Sequence, residues 1–125
     1  IKQVCELLGQ NYVSYFGQTS NEDREQAIKS FTNDPSVRFF VSNAQCGGTG
    51  LNLQAAHVCI YYSNTFSLTD RSQSEDRLHR IGQKNKVTYI DIVCQNTVDE
   101  HIIESLRNHF NIAQAINGDK LRSWI

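Results

Sequence analysis

The sequence lacks methionine altogether and has one proline and one tryptophan among its 125 residues. Because not even an initiator methionine is present and the chain opens with Ile1 inside an apparent helix, we expect a piece of a longer protein, cut at its N-terminal side. No apolar run approaches the roughly 20 residues that cross a bilayer, and no signal peptide is visible. The 39% of hydrophobic residues excludes a disordered chain and predicts one packed domain.

The sequence also has no excess of positive or negative charge, because its 12 Lys and Arg are balanced by 13 Asp and Glu. This balance excludes a protein that coats nucleic acid by bulk attraction, although a local basic patch is still compatible with it. The 4 cysteines form no C-x-x-C pair and the 4 histidines show no H-x-x-x-H spacing. We therefore predict no metal site, and we expect buried, reduced thiols of the kind found in the cytosol.

Helical and β-type periodicities alternate along the chain. Helices are predicted at 1–8, from a capping box that begins at Thr19 or Ser20 to the break at 33–35, at 67–80 and at 98–116. Strands are predicted at 12–16, 37–42, 57–62 and 87–93. We expect the second helix to bury Ala27, Ile28 and Phe31, and the last helix to bury a stripe of Val98, Ile102, Ile103 and Leu106. The alternation predicts an α/β fold with a mainly parallel sheet covered by helices on both faces, a three-layer α/β/α arrangement. Ligands bind such sheets at the carboxyl ends of the strands, and the segments 43–53 and 73–83 both follow strands or lie near their ends.

A glycine-rich segment, residues 43–53, directly follows the strand predicted at 37–42. Its glycines allow backbone N–H groups to approach an anion or a sugar–phosphate chain closely. It is not a Walker A loop, because that loop requires a lysine and no lysine lies between Arg38 and Arg71. On the residues alone, a plain glycine turn explains the segment equally well.

The segment Gln73–Gln83, QSEDRLHRIGQ, lies within residues 71–86, where five Lys and Arg stand against two acids and give a local positive charge. In the predicted helix, Gln73, Arg77 and Arg80 share one face. Planar guanidinium groups suit phosphate oxygens better than a lysine ammonium does. A solvated helix face whose arginines pair with nearby acids is the competing interpretation, and the spacing does not separate the two.

These segments resemble conserved motifs of the Swi/Snf-type ATPases of helicase superfamily two. Gln73–Gln83 resembles their motif VI, CGGTGLNL at 46–53 resembles their motif V, and 15–35 is similar to the segment that precedes motif V. The resemblance covers about residues 10–115 in the right order. It implies that residues 1–125 are a helicase C-terminal domain, the second RecA-like lobe of a two-lobe motor, without the ATP-binding first lobe.

The resemblance also implies an activity, that of a DNA-dependent ATPase acting as a translocase or helicase. ATP and Mg²⁺ would be bound mainly by the first lobe, and Arg77 and Arg80 would be catalytic arginine fingers that reach the γ-phosphate. Asp76 would either orient Arg77 or be a surface acid. The match further implies nucleotide-binding roles for Gln73, Gly48, Gly50 and Asn52, and DNA-backbone contacts for Thr49 and Asn52.

One departure from the family pattern concerns residues 62–67, YSNTFS, where many members have an acid and Trp-Asn-Pro. It indicates the bacterial or phage branch, and hence a cytoplasmic location, or a nuclear one if the protein is eukaryotic.

The expected partners are duplex or branched DNA and the first lobe. The alternative is a nucleic-acid-binding or regulatory module of the same fold without ATP coupling. A self-contained nucleotide-binding protein is disfavoured by the missing lysine.

Overall fold

Helices and strands alternate in the computed structural model, which describes residues 2–45 and 51–117. The helices are α1 (Lys2–Leu8), α2 (Asn21–Asn33), α3 (Leu68–Glu75) and α4 (Val98–Asn117); the strands are β1 (Tyr12–Tyr15), β2 (Phe39–Ser42), β3 (Val58–Tyr61) and β4 (Thr88–Asp91). The predicted α/β class is confirmed. In the described residues, no helix has both the length and the apolar character needed to cross a membrane.

The described strands form two parallel pairs. Tyr12 of β1 lies opposite Phe39 of β2, and Val58 of β3 lies opposite Thr88 of β4. Parallel neighbours need a crossover connection, which α2 supplies for the first pair and α3 for the second. Within the described part of the chain the pairs remain separate two-stranded sheets.

The start of α2 is set by Ser20, one of the two predicted capping residues. Its Oγ accepts the Asp23 N–H at 3.2 Å and donates to the Asp23 carboxylate at 2.7 Å. This reciprocal contact satisfies a backbone donor that the first helical turn leaves without a partner. Ala27 is buried, and Ile28 and Phe31 on the same face pack against the main core, as the sequence predicts.

We call residues 43–50, the part of the glycine-rich segment that holds its glycines, the glycine loop. The main core joins the segment after this loop to the turn after α3. Leu51, Leu53 and Leu78 form its buried centre, and the half-buried side chains that pack on it are Tyr15, Ile28, Phe31, Phe40, Ala56, Cys59 and Val87. Burying a leucine stabilises a fold by roughly 1.5–3 kcal/mol. The two chemically distinctive segments therefore share one hydrophobic centre.

A second cluster holds α4 against the end of β4. Ile102, Ile103 and Leu106 are its buried members, with Leu68 and Val93 packed on them. Val98 was expected in this stripe, yet it lies 57% exposed at the first position of α4.

The helix predicted at 67–80 is shorter in the structure, because α3 ends at Glu75 and turns follow as far as Gly82. In a continuing helix, the Arg77 carbonyl would accept the N–H of Ile81. Instead it accepts the N–H of Leu53 at 3.1 Å. This distant segment thus replaces the helical bond that would continue α3 beyond Arg77.

Candidate functional site

The arginine turn, residues 76–83, follows α3 and contains both predicted arginine fingers. Arg77 is only 8% exposed, and its Nη2 donates to the Ala44 carbonyl at 3.2 Å, whereas Arg80 is exposed. The prediction that both share one helical face is therefore wrong, because α3 ends before either of them. Arg77 reaches the start of the glycine loop, and Arg80 faces solvent.

Of the other predicted site residues, two are exposed and three lie outside the residues that the structure describes. Gln73 is exposed on α3. Asn52 is exposed too, and its side-chain oxygen accepts the Gln54 N–H at 3.1 Å. Gly48, Thr49 and Gly50 lie outside the described residues.

The segment that follows the glycine loop, residues 51–56, is bonded directly to the arginine turn. We call it the loop flank. Besides the bond from Leu53 to Arg77, the Gln83 amide nitrogen donates to the carbonyls of Gln54 and Ala56 at 3.2 and 3.0 Å. In return, the Gln54 amide nitrogen donates to the Ile81 carbonyl. The structure thus brings together the segments that resemble motifs V and VI.

A buried ion cluster that joins α3 to β4 was missed by sequence reasoning. The Arg71 Nε lies 2.7 Å from a Glu75 carboxylate oxygen, and its terminal nitrogens contact the Asp91 carboxylate and the Asn64 side chain. The side chains of Arg71 and Glu75 are each 2% exposed. The i, i+4 spacing of Arg71 and Glu75 is the signal that could have indicated this pair.

Aromatic side chains enclose this cluster. The Arg71 guanidinium lies 3.6 Å from the centre of the Tyr61 ring, and the Tyr61 hydroxyl bonds the Ser74 hydroxyl at 2.6 Å. Burial raises the pKa of Tyr61 well above its ordinary value. Burial alone would lower the pKa of Arg71, but its bonds to Asp91 and Glu75 outweigh burial and raise that pKa. Arg71 is therefore a permanent cation that holds two carboxylates.

The cavity at the carboxyl ends of β2 and β3 is too small for a nucleotide. Its volume is about 30 Å³, and Ala44, Tyr61, Asp70 and Arg71 are among the residues that line it. Gln45 donates to Asp70 at 3.1 Å beside it. Within the described ranges, no group of three or more His, Cys, Asp or Glu side chains is placed to hold a metal ion.

The family model of the helicase conserved C-terminal domain matches residues 1–82, which include the loop flank and all but the last residue of the arginine turn. The chain belongs to this family. Its fold is similar to the crystal structure of the C-terminal part of the Fun30 ATPase domain, with a TM-score of 0.75 and 28% identity over 84% of this chain and 34% of that chain. A RecA-like α/β lobe is thereby confirmed.

Curated relatives include Swi/Snf-related proteins. Over 83% of this chain it is 38% identical to the human SWI/SNF-related matrix-associated actin-dependent regulator of chromatin subfamily A member 1, and over 95% it is 33% identical to the ATP-dependent helicase fft2 of Schizosaccharomyces pombe. The chain spans 10% and 9% of their lengths. Both relatives are eukaryotic, so they do not support the bacterial or phage branch that residues 62–67 indicate.

Proposed function

We propose that this chain is the second motor lobe of an ATP-driven DNA translocase or helicase. The observation that carries the proposal is the helicase family match over residues 1–82, within which the loop flank and the arginine turn are bonded to each other. The names of the relatives support it, since they describe an ATP-dependent helicase and a regulator of chromatin. The word chromatin also favours the nuclear alternative for the location.

In this proposal Arg77 and Arg80 stabilise the charge that develops on the γ-phosphate of ATP. ATP and Mg²⁺ sit on the paired first lobe, because the glycine loop of this chain has no lysine. Arg80 is exposed and is therefore accessible to a phosphate on a facing lobe. Arg77 first has to release the Ala44 carbonyl. Gln73, Gly48, Gly50 and Asn52 are proposed to complete the nucleotide edge.

DNA contacts are proposed for Thr49 and Asn52. Asn52 is exposed at the start of the loop flank, where an amide can donate to a phosphate oxygen. Contacts of this kind are nearly independent of sequence and weaken as the salt concentration rises. Duplex or branched DNA and the first lobe are thus the proposed partners.

The test replaces each arginine in a polypeptide that joins this lobe to the paired ATP-binding lobe. We expect Arg80→Ala or Arg77→Ala to lower the DNA-stimulated kcat by at least roughly 10²-fold with little change in KM, because a finger acts mainly on the transition state. Lysine at either position should rescue poorly, since it lacks the two-pronged guanidinium geometry. Arg107→Ala, which removes an exposed arginine on α4, is the matched control.

The opposite pattern would support the non-catalytic alternative. If kcat stays near normal while DNA affinity collapses in Arg77→Ala and Arg80→Ala, the arginine turn is a DNA-contact surface. Thermal unfolding of each variant is measured alongside the kinetics, because Arg77→Ala also removes the bond to Ala44.

A further inference from the structure

Gln83, the last residue of the arginine turn, donates to the loop flank, and the flank donates back to the turn through the Leu53 N–H and the Gln54 side chain. Its Nε2 lies 3.2 Å from the Gln54 carbonyl, 3.0 Å from the Ala56 carbonyl and 3.2 Å from the Leu78 carbonyl. Its Oε1 accepts the Asn85 N–H at 3.0 Å. The half-buried Gln83 amide therefore bonds the loop flank, the arginine turn and Asn85, which follows the turn.

The chemistry of this position requires hydrogen-bond donors. Three carbonyl oxygens converge on one nitrogen, so a carboxylate there would face three acceptors and offer none of the donors that they need. Leu53 and Leu78 pack together beneath these bonds, which makes the flank and the turn one packed unit. A displacement of the loop flank is thereby passed to the backbone that carries Arg77 and Arg80.

We propose that Gln83 is a positioning residue that couples DNA at the loop flank to the arginines of the turn. The inference rests on the proposed function, because it needs DNA on one segment and ATP on the other. Gln83 touches neither substrate in this account and acts through the backbone of the turn. In this account DNA on the loop flank shifts the turn, and the arginines with it, toward the facing lobe. A loosened turn therefore lowers the DNA-stimulated rate and leaves the rate without DNA largely unchanged.

The experiment compares three variants in the two-lobe polypeptide. Gln83→Glu keeps the size of the side chain and the oxygen that accepts from Asn85, but it removes both donors. Gln83→Lys keeps donors and loses the acceptor. Gln95→Glu makes the same charge change at an exposed glutamine and serves as the control. ATPase rates with and without duplex DNA, the KM for ATP and the melting temperature are measured for each.

We expect Gln83→Glu to lower the DNA stimulation of the ATPase about tenfold or more, while the DNA-independent rate and the KM for ATP stay within about twofold. Gln83→Lys should keep more of the stimulation, and Gln95→Glu should keep all of it. A merely structural role would instead lower both rates together in proportion to the loss of folded protein.

Two results would overturn the coupling role: stimulation in Gln83→Glu equal to that in Gln95→Glu, or a proportional loss of both rates. If Gln83→Glu does not fold, Gln54→Met replaces it, since this change removes the donor to the Ile81 carbonyl from the opposite side, and unchanged stimulation there would also overturn the proposal. Absence of DNA stimulation in the unsubstituted polypeptide is distinguishable from these results, because it would overturn the proposed function and the coupling role with it.

Discussion

At the scale of single residues, the thiols have different surroundings. Cys59 is half-buried against the main core, and burial raises the pKa of its thiol. Cys94 is exposed after β4, so the prediction that the thiols are buried is wrong at this position. Since the thiolate is the reactive form, the two cysteines should differ in reactivity.

We expect Cys94 to react with iodoacetamide at pH 8 at least about tenfold faster than Cys59 in the folded chain, because Cys59 is shielded and its raised pKa reduces the share of reactive thiolate. Peptide mass spectrometry after short pulses measures both rates. In guanidinium chloride the two rates should become similar, which is the control. Equal rates in the folded protein would contradict the burial of Cys59.

The raised pKa of the Cys59 thiol also predicts how the free energy of unfolding depends on pH. A thiol whose pKa is raised by folding releases its proton more easily in the unfolded chain, so its contribution to folding is present below the ordinary thiol pKa and is lost as the pH rises above it. The free energy of unfolding should therefore fall at alkaline pH, and less steeply in Cys59→Ala. An identical slope in the two proteins, measured by urea unfolding between pH 7 and about 10, would exclude this contribution.

At the scale of elements, α3 depends on tertiary contacts. It has 8 residues, and isolated helices of this length are not stable in water. Ser67 caps its start by accepting the Asp70 N–H at 3.2 Å, and Arg71 ties its middle to Asp91 at the end of β4. The ion cluster thus joins the middle of α3 to β4, and we expect it to align α3 and the start of the arginine turn.

Arg71→Met should lower the free energy of unfolding by about 3–5 kcal/mol, because it leaves the Glu75 and Asp91 carboxylates without their cation. Adding Glu75→Gln to Arg71→Met should recover part of this loss, since one uncompensated charge disappears. Urea unfolding measures both, and Arg107→Met at an exposed position is the control. A loss in Arg71→Met no larger than in the control would show that the cluster does not align α3.

At the scale of the whole molecule, neither of the two cavities described here, in residues 2–45 and 51–117, encloses a nucleotide site. The cavity at the strand ends is about 30 Å³, and a second one of about 450 Å³ lies along α4 between Val93 and Arg107, away from the arginine turn. This agrees with the proposal that a facing lobe completes a catalytic site around Arg80.

The 125-residue chain alone should fold without hydrolysing ATP, because its glycine loop has no lysine to cradle the phosphates. Phosphate release in the presence of Mg²⁺ and DNA is measured, and a cooperative thermal transition in the same sample verifies folding. Magnesium-dependent turnover that Arg80→Ala abolishes would contradict the two-lobe assignment.

Local patterns predicted the elements well and their ends less well. The Ser20 cap and the inner face at Ala27, Ile28 and Phe31 follow from neighbours three or four residues apart, and the structure confirms them. The shared face of Arg77 and Arg80 rested on the same local logic and is wrong. Helical spacing carries no information about a competing donor far along the chain, and here that donor is the Leu53 N–H.

The sequence by itself determined the α/β class, the family and the candidate residues, since periodicity, caps and motif strings are written in neighbouring positions. Tertiary structure alone decided that Arg77 is buried against Ala44 while Arg80 is exposed, that Arg71 joins α3 to β4, and that Gln83 bonds the loop flank. Each of these facts depends on which distant carbonyl or carboxylate a polar side chain meets. Buried polar groups require such partners, and only the packing of the chain decides which partner each one finds.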